Sequence, residues 1–373
     1  MNKKERIKAA ISFKTVDKIP TTFRANNYLS SKFMKYFDIN TASNLGTGYE
    51  TLLDKIGADF WSSGSKIDKF STLLPKYNGE IPKEPYIDDG TFFYTIGIKA
   101  KKGKMQIYDI EYPNVGIDPP LANIESVNEI KEGFLTSKIE LFDFSKMKNK
   151  YREFDYKEPC EKNIVCIGGL SSLYMICCFL RGMENFLMDL AFNKRLAECI
   201  IKEVGEFCLE YNRRELENIG LYAEYYGTWD DVAGTDGMMF NPELFNKYFL
   251  PIYKELIANN KKHGLFFGWH VCGSVHQVLP QMIDAGIDVF DVVQTSAKDM
   301  DIENIYKLYG KSVCLHGALD IQKLLVEKTK KEIREEVKKI KNLWGQRGGI
   351  ILAPSHEALP DTPIENILAI YEN

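Results

Sequence analysis

Residues 265–293 read LFFGWHVCGSVHQVLPQMIDAGIDVFDVV, and the hydrophobic pattern changes twice along them. An apolar run at 265–270 gives way to residues at helical spacing, about 274–285, and a second apolar run follows at 288–293. Short run, amphipathic helix, short run is the pattern of two parallel strands joined by a right-handed crossover. The rhythm extends outward in both directions. Further apolar runs at 164–169, 221–226, 312–316 and 349–353 alternate with helical patterns at about 172–190, 194–218, 242–263, 302–309, 321–343 and 363–371. With runs at 19–23 and near 58–62 the count reaches eight, so the expected fold is α/β, a single (β/α)8 TIM barrel over residues 1–373. No run leads into a GxGxxG turn or a GxxxxGK[ST] loop of the kind that open nucleotide-binding sheets use. In the N-terminal half, residues 85–117 alternate aromatic or β-branched with polar residues and are broken by Asp-Gly and Lys-Gly pairs, which predicts an antiparallel β-hairpin insertion.

Composition narrows the function. The 373 residues are 45% hydrophobic and 27% charged, as in a globular protein with a large core. With 48 Lys+Arg against 52 Asp+Glu there is no net field to attract a polyanion, so no nucleic-acid partner is expected. The longest apolar run, LYMICCFL at 173–180, is far short of the roughly 20 residues that cross a bilayer. The opening MNKKERIKAAISFK has an amphipathic spacing without the apolar stretch of an export signal, and a cytoplasmic location with no membrane association is expected. The eight cysteines are irregularly spaced and read mainly as small core residues.

In (β/α)8 barrels the chemistry sits where strands end. The run at 265–270 ends in Trp269-His270-Val271-Cys272, and residues two apart on an extended chain share a face, so the imidazole of His270 and the thiol of Cys272 form half a chelate. The last run leads into Pro354-Ser355-His356-Glu357. Three nitrogen and sulfur donors at one mouth suit Zn²⁺, and His270, Cys272 and His356 are the expected ligands, with His316 the competitor for third place. Candidates for catalysis are Asp230 and Asp231, in a Gly-bounded loop, His316, and Asp320, four residues beyond it; His316 can also position substrate. Candidates for holding a small-molecule substrate are Arg24, Asp59, Tyr226 and Trp269, each at or near the end of a run. Glu184, at a helix junction, is expected to cap the helix or pair with Arg181, a structural role.

The strings WHVCGSVHQVLPQMIDAGIDVFDVVQ, LHGALDIQKLL, GGIILAPSHEALPDTPIENI and RGMENFLMDL resemble the uroporphyrinogen decarboxylase superfamily over nearly the whole chain. That resemblance implies a barrel that serves either tetrapyrrole decarboxylation or zinc-dependent methyl transfer from a corrinoid protein. The decarboxylases carry an Arg-Gln-Ala-Gly-Arg-Tyr-Leu motif near the start; here Arg24-Ala25-Asn26-Asn27-Tyr28-Leu29 keeps only the first arginine. Asp59 would stand for their catalytic aspartate, in surroundings that do not match theirs. The methyltransferases use His-x-Cys plus a distant Cys in Ala-Pro-Gly-Cys-Gly, which His270-Val271-Cys272 and Ala353-Pro354-Ser355-His356 resemble, with histidine in place of the last cysteine. The resemblance therefore implies the methyltransferase branch, with Zn²⁺ as metal and a methylcobalamin-type corrinoid carried by a partner protein. A metal-free decarboxylase using Arg24 and Asp59 is the alternative, and a non-catalytic corrinoid-binding protein is a third.

Overall fold

The computed structural model describes residues 1–39, 45–59, 75–79, 99–105, 110–147, 164, 166–168 and 171–372. Its centre is a parallel sheet of six strands: β1 (Cys166–Ile167), β2 (Tyr225–Trp229), β3 (Phe266–His270), β4 (Val289–Val293), β5 (Cys314–Leu319) and β6 (Ile350–Pro354). Each strand pairs with the next in sequence, the order that right-handed crossovers produce. Beyond β6 the chain near residue 21 continues the sheet: Thr21 bridges Leu352 in parallel, and Thr22 N–H donates to the Leu352 carbonyl at 2.9 Å. Asp59 N–H in turn donates to the Thr21 carbonyl at 2.9 Å. An antiparallel pair, Lys99–Met105 with Ile110–Ile117, occupies the later part of the expected insertion, and 85–98 lie outside the described residues.

Period-two alternation gives the sheet two different faces. On one face Cys166, Tyr225, Val289, Cys314 and Ile351 form a small core, closed by Ile7, Ala10 and Ile11 of the first helix, Lys3–Ile11. Asn2 and Glu5 start that helix with a reciprocal capping box. We call this the inner face. Gly268 leaves room there for Tyr225, whose hydroxyl oxygen a Cβ would meet at 1.6 Å, so a larger residue would force that ring to shift. On the outer face Tyr226, Phe267, Trp269, Phe290 and Leu315 enter the main core beneath the helices. The long helix Lys194–Ile219 buries Ile200, Val204, Phe207, Cys208 and Tyr211, and Lys330–Trp344 buries Ile333, Val337, Ile340 and Trp344, both at spacings of three and four.

Several boundaries differ from expectation. The strand expected at 221–226 is β2, displaced to Tyr225–Trp229 because residues 220–222 form a tight turn. The helix expected at 172–190 is two helices, Leu173–Arg181 and Met183–Phe192, parted by Gly182 at φ +86°. There Arg181 pairs with Asp189 at 2.7 Å, where Glu184 was expected, and also donates to the carbonyls of Leu121 and Ala122. The strand expected to end at 316 runs on to Leu319, so His316 sits within β5. Among the described residues no helix is long and apolar enough to cross a membrane.

Candidate metal centre

Parallel register aligns three polar side chains. His270 of β3 stands opposite Asp291 of β4, and Asp291 stands opposite His316 of β5. From Val289 and Cys314 on the inner face, two steps along each strand bring Asp291 and His316 onto that face as well. Asp291 Oδ2 lies 2.8 Å from His270 Nδ1, and Oδ1 lies 3.1 Å from His316 Nδ1. Arg24 reaches across from the segment beside β6 and donates to the same Oδ2 at 2.7 Å. The far nitrogen of His316, Nε2, is 2.9 Å from Thr22 Oγ1.

The electrostatics follow from this arrangement. Burial opposes a charge on Asp291, but the Arg24 guanidinium, then His316 and His270, outweigh it and hold the carboxyl well below the usual carboxylate range. His316 is only 3% exposed, and burial pushes its pKa down. One guanidinium nitrogen of Arg24 is bonded to Asp291, while the other is buried with no hydrogen-bond partner among the described residues.

Above this row stand the donors. After β3 the chain turns at Gly273, φ +86°, and Ser274 N–H donates to the Gly234 carbonyl at 2.9 Å. A Cβ on residue 273 would lie 2.5 Å from that carbonyl oxygen, so only glycine lets the turn tuck in and present Cys272. Cys272 N–H donates to Asp231 Oδ1 at 3.2 Å, and its Sγ lies 3.7 Å from His270 Nε2. His356 follows β6, its ring 5.9 Å from that of His270, centroid to centroid. One donor atom from each of His270, Cys272 and His356 lies within 4.8 Å of the others.

Two imidazoles and one sulfur are a donor set that fits Zn²⁺ with a fourth position open. Desolvation, then His270 and Arg24, push His356 down to about 4, so at neutral pH its ring carries a free lone pair. Desolvation and the Asp231 carboxylate raise the Cys272 thiol, so the thiolate that a metal needs forms there only with a cation to stabilise it.

The remaining candidates disperse. Asp231 belongs to the site through Cys272, whereas Asp230 is fully buried and accepts from the backbone N–H groups of Tyr174 and Met175 at 2.9 and 2.8 Å and from the Tyr253 hydroxyl at 2.6 Å. It caps the helix Leu173–Arg181 and is closed to substrate, despite a pKa that burial raises to about 7. Asp320 accepts from the backbone N–H groups of Gln322, Lys323 and Leu324 and caps the turn after β5. Asp59 is buried against Arg6 and Thr21. Tyr226 and Trp269 have no exposed surface and face the helices; Trp269 packs against Phe245, Tyr253 and Phe290. His316 has both ring nitrogens engaged by protein groups, which leaves His356 as the third member of the cluster. Asp291 was absent from the sequence reading. Its signal was an acid inside the apolar run Val289-Phe290-Asp291-Val292-Val293, a position that an ordinary buried strand does not give to a charge.

A second histidine line is closed to chemistry: Ser274 Oγ is 3.1 Å from His276 Nδ1, and His276 Nε2 is 3.8 Å from Asp299, but Ser274 is fully buried.

The family model for uroporphyrinogen decarboxylase (URO-D) matches residues 156–373, more than half the chain and the part that carries every strand of the sheet. The chain belongs to the uroporphyrinogen decarboxylase family. This family member also has the fold of a solved methyltransferase from Methanosarcina mazei: the TM-score is 0.63 at 17% identity, with 99% of this chain and 97% of that one covered. No curated protein matches its sequence.

Proposed function

We propose that the protein is a zinc-dependent methyltransferase that moves a methyl group from a methylated corrinoid protein to a thiol or similar acceptor. The observation that carries the reading is the convergence of His270, Cys272 and His356 to within 4.8 Å. The reading includes closure of the parallel sheet into an eight-stranded barrel, so that these residues stand at its mouth, where the corrinoid partner docks. Zinc bound there would lower the pKa of a coordinated acceptor thiol and hold it as the nucleophile.

The chain's own groups do the rest. Arg24, with one buried guanidinium nitrogen unpartnered, offers an anchor for an acidic group of the acceptor. Asp231, beside Cys272, is the carboxylate placed to take the proton that the thiol gives up. Asp230, Asp320, Tyr226 and Trp269, occupied elsewhere, have no part in the step.

The test is the metal content of anaerobically purified protein, followed by methyl transfer from methylcobalamin to a series of thiols. About one zinc per chain in the parent, lost in Cys272→Ala and His356→Ala together with transfer, is the expected result. A chain that binds no zinc from a supplemented buffer sinks the reading. The decarboxylase alternative then rests on Arg24 alone, since Asp59 is committed to Arg6 and Thr21.

A further inference from the structure

We infer that Asp291 is the positioning residue that holds His270 with its Nε2 lone pair toward the metal position. An ionised carboxylate accepts hydrogen bonds and cannot donate them, so a ring nitrogen hydrogen-bonded to it must carry the hydrogen. His270 faces Asp291 through Nδ1 at 2.8 Å and therefore holds its proton there, leaving the Nε2 lone pair directed toward Cys272 Sγ, 3.7 Å away. His316 Nδ1 lies 3.1 Å from Oδ1 of the same carboxylate, an ion-pair distance without hydrogen-bond geometry, while its Nε2 meets the Thr22 hydroxyl at 2.9 Å. The carboxylate thus sets the tautomer of His270, whose Nε2 stays open, while Thr22 occupies Nε2 of His316. Arg24 steadies the carboxylate from the side without touching that tautomer. Carboxylates behind ligating histidines orient the ring and raise its basicity, and their removal typically weakens metal binding about 10–100-fold.

The inference rests on the metal reading of the cluster, and its test separates the two. In metal-free protein labelled with ¹⁵N at histidine, long-range ¹H–¹⁵N correlations report the tautomer of each ring, assigned by His270→Gln and His316→Gln. The expected spectrum has His270 as Nδ1–H, and it needs no variant at Asp291. Zinc affinity, measured by competition with a chromogenic chelator, should fall about 10–100-fold in Asp291→Asn and be restored towards the parent value in Asp291→Glu. Arg24→Gln, which removes the cation beside the carboxylate but not the hydrogen bond to His270, should lower it less than Asp291→Asn does; a merely structural ion pair would make the two variants alike. A parent that takes up no zinc overturns the reading of the site. His270 protonated on Nε2 in the metal-free parent, or Asp291→Asn with the parent's zinc affinity, overturns this inference alone.

Discussion

The two faces of the same strands hold two buried carboxyl groups in opposite states. On the inner face Asp291 meets a guanidinium and two imidazoles and stays ionised. Beyond the outer face Glu215, on the helix Lys194–Ile219, is 3% exposed, has an oxygen without a partner among the described residues, and is pushed up to about 8 by burial. Burial alone makes a carboxyl neutral, whereas burial with a cation in reach makes it a fixed charge. The inner face therefore carries a fixed charge among polar side chains, and the outer face packs. Adjacent residues such as Trp269 and His270, or Tyr225 and Tyr226, serve different ends because they alternate between the faces.

The largest effect that separates the faces is expected from Trp269→Ala. Truncating a fully buried tryptophan leaves a cavity and costs about 3–5 kcal/mol, seen as a lower denaturation midpoint, while the folded fraction keeps its zinc affinity. Cys272→Ala should do the converse, losing zinc with little change in midpoint. If Trp269→Ala abolished zinc binding at full folding, the division between faces would fail. The aspartate pair gives the next largest contrast. Asp230→Ala strands two backbone donors and the Tyr253 hydroxyl and should cost about 1–3 kcal/mol. Asp231→Asn should leave stability near the parent value but speed alkylation of Cys272, because the carboxylate that raises that thiol is gone. Peptide-resolved mass spectrometry of iodoacetamide labelling checks the second half; an unchanged rate would remove Asp231 from the site.

These contrasts also show how far the sequence could be read. The strand and helix rhythm from 164 onward was visible because each strand is a short apolar run and each helix buries a stripe at spacings of three and four. His270, Cys272 and His356 were visible as donors at the ends of runs. What misled was strand extent and phase. Residues 317–319, Gly-Ala-Leu, lie beyond the expected run, yet Gly317 and Ala318 continue β5 at positive φ, which moved His316 from an end to the interior. Tyr226 and Trp269 lay near ends, but a shift of one residue flips a side chain to the other face. Asp230 and Asp231 are chemically identical in the text; only the nearby start of Leu173–Arg181 tells the cap from the site residue. Asp291 was hidden inside an apolar run, since its partners Arg24 and His316 are distant in sequence.

Glu215 supplies the pH test. In the unfolded chain it titrates in the ordinary glutamate range near 4.3, whereas in the fold it holds its proton up to about 8. Between those values the folded state binds one proton more than the unfolded state, so stability is greatest at the acidic end and falls as pH rises. The slope from this group approaches about 1.4 kcal/mol per pH unit. Glu215→Gln keeps the shape, removes the proton, and should flatten the decline in denaturant midpoint between pH 5 and 8. An equally steep decline in the variant would mean that Glu215 is not the neutral counterpart of Asp291.

The smallest effect tests the division where the text was most ambiguous, at Asp320. It stands one residue past β5 and four past His316, close enough in sequence to suggest catalysis, but its carboxylate is occupied by the N–H groups of residues 322–324. Replacing such a cap with alanine typically costs about 1 kcal/mol, so Asp320→Ala should lower the midpoint slightly, and Asp320→Asn, which still accepts those bonds, should restore it. Zinc affinity and methyl transfer should be unchanged in both. A loss of transfer in Asp320→Asn at parental stability would place this carboxylate in the reaction, because only its charge would have been removed.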